Sequence, residues 1–149
     1  YLKMNIDIVK LEKTDIYLLD KFKTEEWPEA DREHYGDYNL DFSKNFYTLV
    51  AKNKDDDTVL AYISFFTELG VAQIDLLIVG QKFRRNGLAK KLINEVENLV
   101  KSLGVHKVRL ETGMDWKAKS LYEKLGYNTR AILPNYYANR DFVLMDKEI

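Results

Sequence analysis

Cysteine is absent from the 149 residues of the chain, and proline and histidine occur only twice each. Without thiols, the protein has no disulfide framework, no thiolate metal site and no cysteine nucleophile. The two histidines, His34 and His106, are too few for a multi-histidine metal centre, and we expect both at the surface. We therefore expect no metal cofactor and no covalent cysteine chemistry.

The chain also lacks a strong net charge and a long apolar run. Its 23 Lys and Arg residues nearly balance 24 Asp and Glu residues, and the net charge of -1 argues against a globally basic nucleic-acid binder. No apolar stretch approaches the roughly 20 residues of a membrane helix, and the N-terminus shows no signal-peptide pattern. With 46% apolar residues, we predict one cytoplasmic domain over residues 1–149, without a nucleic-acid or membrane partner.

The apolar pattern that is present predicts a mixed sheet with helices packed on it. Apolar and β-branched runs predict strands over 4–11, 46–52, 59–67, 72–79, 108–112, 127–133 and 141–147. The fourth of these runs is nearly continuous, which is typical of a strand buried on both faces. Helical periodicity predicts helices over 14–22, 88–103 and 118–125. The polar stretch 25–41 is expected to be irregular, because Trp27-Pro28 and Gly36 interrupt it.

The most informative segment joins the fourth predicted strand to the strongest predicted helix. Lys82, Arg84 and Arg85 place cations at the start of that helix, where backbone N–H groups are unpaired and the macrodipole is positive. Gly87 and Ala89 let a bulky ligand approach the backbone. Together these features favour a diphosphate ligand, and an ordinary basic turn is the alternative. The P-loop and dinucleotide-binding patterns are absent, which disfavours ATP and NAD sites of those kinds.

Two motifs resemble those of a known family. Arg84-x-x-Gly87-x-Ala89 resembles the Q/R-x-x-G-x-G/A signature of the GNAT N-acetyltransferases, and residues 115–127 resemble their N-x-x-A-x-x-L-Y-x-x-x-G-F segment. The motifs occur in the family's order, and the resemblance covers residues 46–127 well. It implies an α/β (α+β) fold, with a mixed, mostly antiparallel sheet of about seven strands and about four flanking helices. It also implies that the sheet is splayed at the fourth and fifth strands.

The resemblance implies acetyl-CoA as the donor co-substrate. Asp115 stands where the family usually has Asn, and a carboxylate accepts but cannot donate a hydrogen bond to the pantetheine amides. Lys117 is a candidate for the donor phosphates, with a solvated helix charge as the alternative. The other donor-binding positions that the resemblance implies are the strand end and the following turn: Leu77, Ile78, Val79, Arg84, Arg85, Asn86, Gly87, Leu88 and Ala89.

Tyr122 matches the family tyrosine that donates a proton to the CoA sulfur. The chemistry is sensible because a phenol with a pKa of about 10 is protonated at neutral pH, although a core aromatic would fit the pattern too. For the base, Gln73 stands where part of the family has glutamate, so Asp75 on the same face and Glu68 before the strand are the candidates. A structural role for Asp75, or no dedicated base, stays open.

The stretch 25–41 holds seven carboxylates against one cation, Arg32. The resemblance puts this region on the acceptor side, where its charge would attract a cationic amine and its aromatic rings would stack on it. A solvated acidic loop is the alternative. The acceptor-binding candidates are Glu25, Trp27, Glu29 and Tyr35, with Tyr136 on the opposite wall.

The leading hypothesis is therefore an N-acetyltransferase that acts directly on a primary amine. A polyamine or other small cation ranks slightly above a protein N-terminus or lysine as the acceptor. The main alternative is a CoA-binding regulatory module with little catalysis, which Gln73 and Asp115 motivate. An RNA-binding domain that uses the basic turn is a more distant alternative, and we expect a monomer or a homodimer.

Overall fold

The computed structural model describes residues 5–37 and 39–149, which form two units, 1–40 and 41–149. Each unit is described by itself here, and the expectation of a single domain stays a prediction. In the second unit, six strands form one sheet in the order β1-β2-β3-β4-β6-β5. The strands are β1 (Asn45–Lys52), β2 (Val59–Glu68), β3 (Val71–Val79), β4 (Lys107–Gly113), β5 (Asn128–Leu133) and β6 (Phe142–Glu148). Among these six described strands, β3 and β4 are the only parallel pair.

The first unit is mainly one helix, α1 (Ile16–Tyr35), preceded by a short 3₁₀ helix, Lys13–Asp15. The expected first strand is wrong for the described residues 5–11, which form no strand, and Met4 lies outside the described residues. The expectation of an irregular stretch is wrong up to Tyr35, because Glu, Ala and Arg favour a helix and Pro28 does not break it. Gly36 ends the helix in the left-handed conformation (φ 74°). Tyr38, within the same stretch, lies outside the described residues.

The core lies between the sheet and helix α2 (Leu88–Ser102), whose buried face has the predicted helical spacing. Leu92, Ile93, Val96 and Val100 on α2 are buried against β1, β2 and β3. Burial of each such side chain contributes about 1.5–3 kcal/mol, so α2 is firmly held on the sheet. The third helix, α3 (Lys117–Lys124), contacts β4. The described residues thus contain three α-helices and six strands, close to the expected α+β architecture.

Part-way along its length, strand β3 loses its pairing with β4, and its side chains become more exposed. It pairs with β4 only from Val71 to Ile74, whereas its pairing with β2 continues to Val79. The register against β2 shifts at Asp75, which is therefore the extra residue of a β-bulge. Leu76 and Ile78 beyond the bulge are exposed, so the prediction of a strand buried on both faces is wrong. The predicted splay between the fourth and fifth strands is confirmed, as β3 and β4 separate after Ile74.

Candidate active site

The separation of β3 from β4 opens a pocket of about 770 Å³ in the second unit. The end of β3, the first turn of α2 and the first turns of α3 form its walls. Its lining residues are Leu77, Ile78, Val79, Arg84, Arg85, Gly87, Leu88, Ala89, Lys90, Trp116, Lys117, Ala118, Leu121 and Tyr122. The structure therefore brings together most of the donor-binding positions that the sequence predicted.

One end of the pocket suits an anion. Helix α2 begins after Gly87, which has no side chain to cap the helix, and the first backbone bond back to Gly87 comes from Lys91. The N–H groups of Leu88, Ala89 and Lys90 therefore have no partner within the helix and lie at its positive end. Gly87 itself adopts a left-handed conformation (φ 74°), and a Cβ there would meet no atom within 4 Å. The turn thus leaves open space above unpaired N–H groups.

Four cations line the same pocket as these N–H groups. Arg84, Arg85, Lys90 and Lys117 all line the pocket, and no carboxylate does so among the residues that the structure describes. Arg84 Nε donates a hydrogen bond to the carbonyl oxygen of Val79 at 3.2 Å, which fixes the arginine beside the end of β3. Arginine binds phosphate groups through paired N–H donors, so this end of the pocket fits a diphosphate.

The other end of the pocket is apolar and ends at a free strand edge. Leu77, Val79, Leu88 and Leu121 contribute apolar side chains, and Ala118 leaves room between them. Because β4 has separated from β3 by this point, while it stays paired with β6, no described strand pairs with this edge of β3. A free edge offers backbone donors and acceptors to an extended ligand that carries amide groups.

Tyr122 lies at the inner wall of the pocket. Its side chain is 6% exposed, and burial raises the pKa of its phenol to about 12. The phenol is consequently protonated at neutral pH and can donate a proton in that range. The ring also packs edge-to-face on Tyr127, with the two ring centroids 5.7 Å apart.

The predicted base candidates lie away from this pocket. Asp75 is exposed at the bulge, where its Oδ1 accepts a long hydrogen bond (3.5 Å) from Gln73 Nε2, and it does not line the pocket. Glu68 lines a separate, smaller pocket of about 200 Å³ at the hairpin end of β3. Glu68 pairs with Val71, and the first residue of β3 that lines the main pocket is Leu77. Because a strand rises about 3.3 Å per residue, these six residues separate Glu68 from the main pocket by about 20 Å.

Two predicted donor contacts are also not pocket-lining. The Asn86 side chain donates a hydrogen bond to the carbonyl oxygen of Phe83 (3.2 Å) and thereby stabilises the turn. Asp115 precedes α3, and its neighbour Trp116 lines the pocket instead. The sequence reasoning did not single out Trp116 or Lys90 as a donor-binding residue. Lys90 directly follows Ala89, and Trp116 directly follows Asp115. This position next to a motif residue, near the start of a helix that forms the pocket, was the signal that could have found them.

An aromatic cluster borders the pocket next to Trp116. The Trp116 ring packs edge-to-face on Phe142 (5.3 Å between ring centroids), and Phe142 contacts Tyr136 (6.0 Å) and Tyr137 (5.2 Å). A hydrogen bond with Tyr136 raises the pKa of the Tyr137 phenol. The structure therefore connects Tyr136, a predicted acceptor-side residue, to the pocket wall through Phe142.

The remaining acceptor-side candidates lie on α1 in the first unit. Glu25, Trp27, Glu29 and Tyr35 are all exposed, but they do not share one face of the helix. The hydrogen bond from Arg32 lowers the pKa of the Glu29 carboxyl, which is therefore already paired. Their role in acceptor binding stays a prediction.

Other site types have no support in the part of the chain that the structure describes. No group of three or more His, Asp or Glu side chains is arranged to hold a metal ion. In the same residues, no helix has both the length and the apolar character that a membrane span requires. Both His34 and His106 are exposed, as predicted.

Comparison with known families identifies the family to which this fold belongs. The model of the Acetyltransferase (GNAT) family matches residues 14–127, which is most of the chain. The chain belongs to this family. GNAT acetyltransferases use acetyl-CoA as the donor, so the family accounts for a pocket that combines a diphosphate end with a free strand edge. The resemblance inferred from the two sequence motifs is confirmed.

Individual relatives agree with the family. The chain is 31% identical over 94 residues to a [Ribosomal protein bS18]-alanine N-acetyltransferase of Haemophilus ducreyi, covering 62% of this chain and 65% of that relative's length. An acetyltransferase from Bacillus cereus ATCC 14579 has the same fold (TM-score 0.75, 17% identity, 97% and 98% of the two chains covered). A putative streptothricin acetyltransferase from Bacillus anthracis str. Ames, solved in complex with acetyl coenzyme A, is also similar (TM-score 0.64, 19% identity, 74% and 69% covered).

Proposed function

We propose that this protein transfers the acetyl group of acetyl-CoA directly to a primary amine. The observation that carries the proposal is the pocket at the splayed end of β3. Cations, unpaired helix N–H groups, an apolar strand edge and the Tyr122 phenol are all found there. Membership of the GNAT family supports the same reaction.

The pocket fits the donor in three parts. The N–H groups of Leu88 and Ala89, with Arg84 and Arg85 beside them, would hold the diphosphate. The free edge of β3 would pair with the amides of the pantetheine arm in the manner of an added strand. The open space above Gly87 admits the ligand close to the backbone.

Bound acetyl-CoA supplies an activated thioester. Transfer forms a bond between the amine nitrogen and the acetyl carbon, breaks the carbon–sulfur bond, and leaves a sulfur that needs a proton. The Tyr122 phenol, which lines the pocket and is protonated at neutral pH, donates that proton. The proton released by the amine nitrogen returns to the tyrosine through solvent, so the enzyme is restored after each transfer.

The amine must be neutral to attack, and the pocket lining has no carboxylate among the described residues. Desolvation in an apolar pocket disfavours the ammonium form, which lowers the pKa of the amine without a dedicated base. On this basis we expect Asp75→Asn to change kcat by less than about threefold. A fall of about a hundredfold, the size of a lost general base, would instead assign the proton transfer to Asp75.

The acceptor class follows best from the relative in Haemophilus ducreyi, which is named for an alanine of a ribosomal protein. We therefore place the α-amine of a peptide N-terminus first among the acceptors, ahead of the small cationic amines that the composition of 25–41 favoured. The exposed rings of Tyr136 and Tyr137 next to Trp116 would contact the first residues of such a peptide.

Release of free thiol from acetyl-CoA tests the function on a panel of amines. The panel contains peptides with N-terminal alanine, the same peptides with a blocked N-terminus, a lysine peptide, polyamines and buffer alone. We expect turnover on free peptide N-termini and none on the blocked peptides. Turnover on polyamines alone would restore the small-cation acceptor, and equal rates in all samples would contradict amine transfer.

Calorimetry with CoA distinguishes the enzyme from a CoA-binding module. Tight binding together with no turnover on any amine would favour the module, which Gln73 and Asp115 motivate. Salt-sensitive RNA binding that CoA does not displace would favour the more distant RNA-binding alternative.

A further inference from the structure

Next to Tyr122, and outside the lining of the pocket, lies a partly buried polar group that the proposed reaction does not use. It consists of Tyr127, Glu97 and Lys147, which come from the segment after α3, from the middle of α2 and from β6. The Tyr127 hydroxyl donates a hydrogen bond to Glu97 Oε1 (3.0 Å), and Lys147 Nζ donates one to Glu97 Oε2 (2.7 Å).

Tyr127 is buried, and the other two side chains are partly shielded from water. Tyr127 is 2% exposed, and the side chains of Glu97 and Lys147 are 15% and 28% exposed. Burying a charged pair is costly unless its geometry and hydrogen bonds are complete, and here one carboxylate satisfies both a phenol and an ammonium group. Burial, followed by the charge of Glu97, raises the pKa of the Tyr127 phenol, which therefore stays protonated and keeps donating.

The contact between Tyr127 and Tyr122 is fixed by the end of α3. Gly126 N–H bonds to the carbonyl oxygen of Glu123, and Tyr127 N–H bonds to the carbonyl oxygen of Tyr122, both at 3.0 Å. This pair of bonds is a Schellman motif, in which the residue after the glycine packs back on the last turn of the helix. The left-handed conformation of Gly126 (φ 91°) makes the reversal possible. Tyr127 therefore holds Tyr122 through the backbone and through the ring contact.

We infer that Tyr127, Glu97 and Lys147 are positioning residues that set the orientation of the Tyr122 ring, and with it the aim of the proton donor into the pocket. Helix α3 has only eight residues and is too short to be stable alone, so its orientation depends on such tertiary contacts. Glu97 lies on the same helix whose first turn forms the diphosphate end, so the network also connects α2 to α3. The inference deepens the proposed function and rests on it for the role of Tyr122.

The first test is Tyr127→Phe, which keeps the ring and removes only the hydroxyl. We expect kcat to fall about tenfold, the effect of one lost hydrogen bond to a charged group, with the KM for acetyl-CoA unchanged within about twofold. In a Tyr122→Phe background, the same substitution should change kcat by less than about twofold, because no proton donor is left to orient. An equal tenfold loss in both backgrounds would show a general structural role and overturn the inference.

A second variant keeps the test decisive if Tyr127→Phe does not fold. Glu97→Gln still accepts from Tyr127 but loses the charge that holds Lys147, so we expect a smaller fall in kcat in the same direction. Glu95→Gln is the matched control, because it removes the same charge from an exposed position on the same helix. A similar fall in Glu95→Gln would overturn the inference.

A readout that needs no turnover separates this inference from the proposed function. With ¹³C-labelled tyrosine rings, the Tyr122 signal is identified by its loss in Tyr122→Phe. We expect that signal to shift or broaden in Tyr127→Phe and to stay unchanged in Glu95→Gln. An unchanged signal would overturn the positioning role even in an active enzyme. A changed signal in a protein that acetylates no amine would overturn the proposed function alone.

Discussion

The two ends of β3 carry pockets of opposite character. At the splayed end, the pocket of about 770 Å³ is lined by four cations and, among the described residues, by no carboxylate. At the hairpin end, the pocket of about 200 Å³ is lined by Asp41 and Glu68 and by no described cation. The near-neutral net charge of -1 thus hides a separation of charge. The cations line the pocket at one end of β3, and the carboxylates line the pocket at the other end.

The direction of helix α2 supports the proposed diphosphate site at the splayed end. Its first turn lies at the larger pocket, and the residues just after its end, Leu103 and Gly104, lie at the smaller one. The positive end of the helix dipole therefore adds to the cations of the larger pocket. The size of the pocket, the charge of its lining and the direction of the helix therefore all favour the splayed end as the place for a diphosphate donor.

The largest expected effect at the splayed end is that of Tyr122→Phe. The variant keeps the packed ring and removes the proton donor, so kcat should fall by about a hundredfold or more while the affinity for CoA stays within about threefold. Steady-state kinetics and calorimetry measure the two quantities. A kcat within threefold of the wild-type value would remove Tyr122 from the reaction and leave the pocket as a binding site only.

The buried phenol also makes stability depend on alkaline pH. Because the folded-state pKa of Tyr122 is about 12, above the ordinary value of about 10, folding disfavours its ionisation. The resulting stabilisation, about 2–3 kcal/mol, is complete below pH 10 and is lost as the pH rises through 12. Urea unfolding at pH 8 and pH 11 should show a smaller loss in Tyr122→Phe than in the wild type. Tyr17→Phe, at an exposed position, is the control, and an equal loss in all three proteins would contradict the assignment.

Removing a cation should weaken donor binding more modestly. Arg84→Ala should cost about 1–3 kcal/mol of CoA binding, because a charge-assisted bond to phosphate is lost. Lys101→Ala is the control, since it removes the same charge at the other end of α2. Calorimetry at two salt concentrations measures both variants. If they weaken binding equally, the effect is one of overall charge, and the diphosphate lies elsewhere.

The sequence predicted the splayed end better than the rest of the molecule, and the reason is physical. The diphosphate end is local, as Arg84, Gly87 and the start of α2 follow one another in the chain. The bulge at Asp75 depends instead on the register against β2, which no local pattern specifies. Local propensity also accounts for the length of α1, because residues that favour a helix extend it past Trp27-Pro28.

The polar network next to Tyr122 was beyond sequence reasoning for a related cause. In the sequence, Glu97 is 30 residues from Tyr127 and 50 residues from Lys147. None of the three differs from the residues expected in the segment to which it belongs. Only the tertiary fold brings them together, through the hydrogen bonds that join α2 to β6 and to the segment after α3. Contacts of this kind follow from the tertiary fold and leave no periodic signal in the chain.

The smallest expected effect belongs to the hairpin end. Glu68 was a candidate base because it directly precedes the predicted strand, but the intervening length of β3 places it at the other pocket. Glu68→Gln should therefore leave both kcat and the KM for acetyl-CoA within about twofold of the wild-type values, as expected for a surface substitution away from the chemistry. Steady-state kinetics over pH 6–9 provide the measurement. A large fall in kcat with loss of its acidic limb would mean that the two ends of β3 act together in catalysis, and the separation between a donor pocket and a catalytically silent pocket would no longer hold.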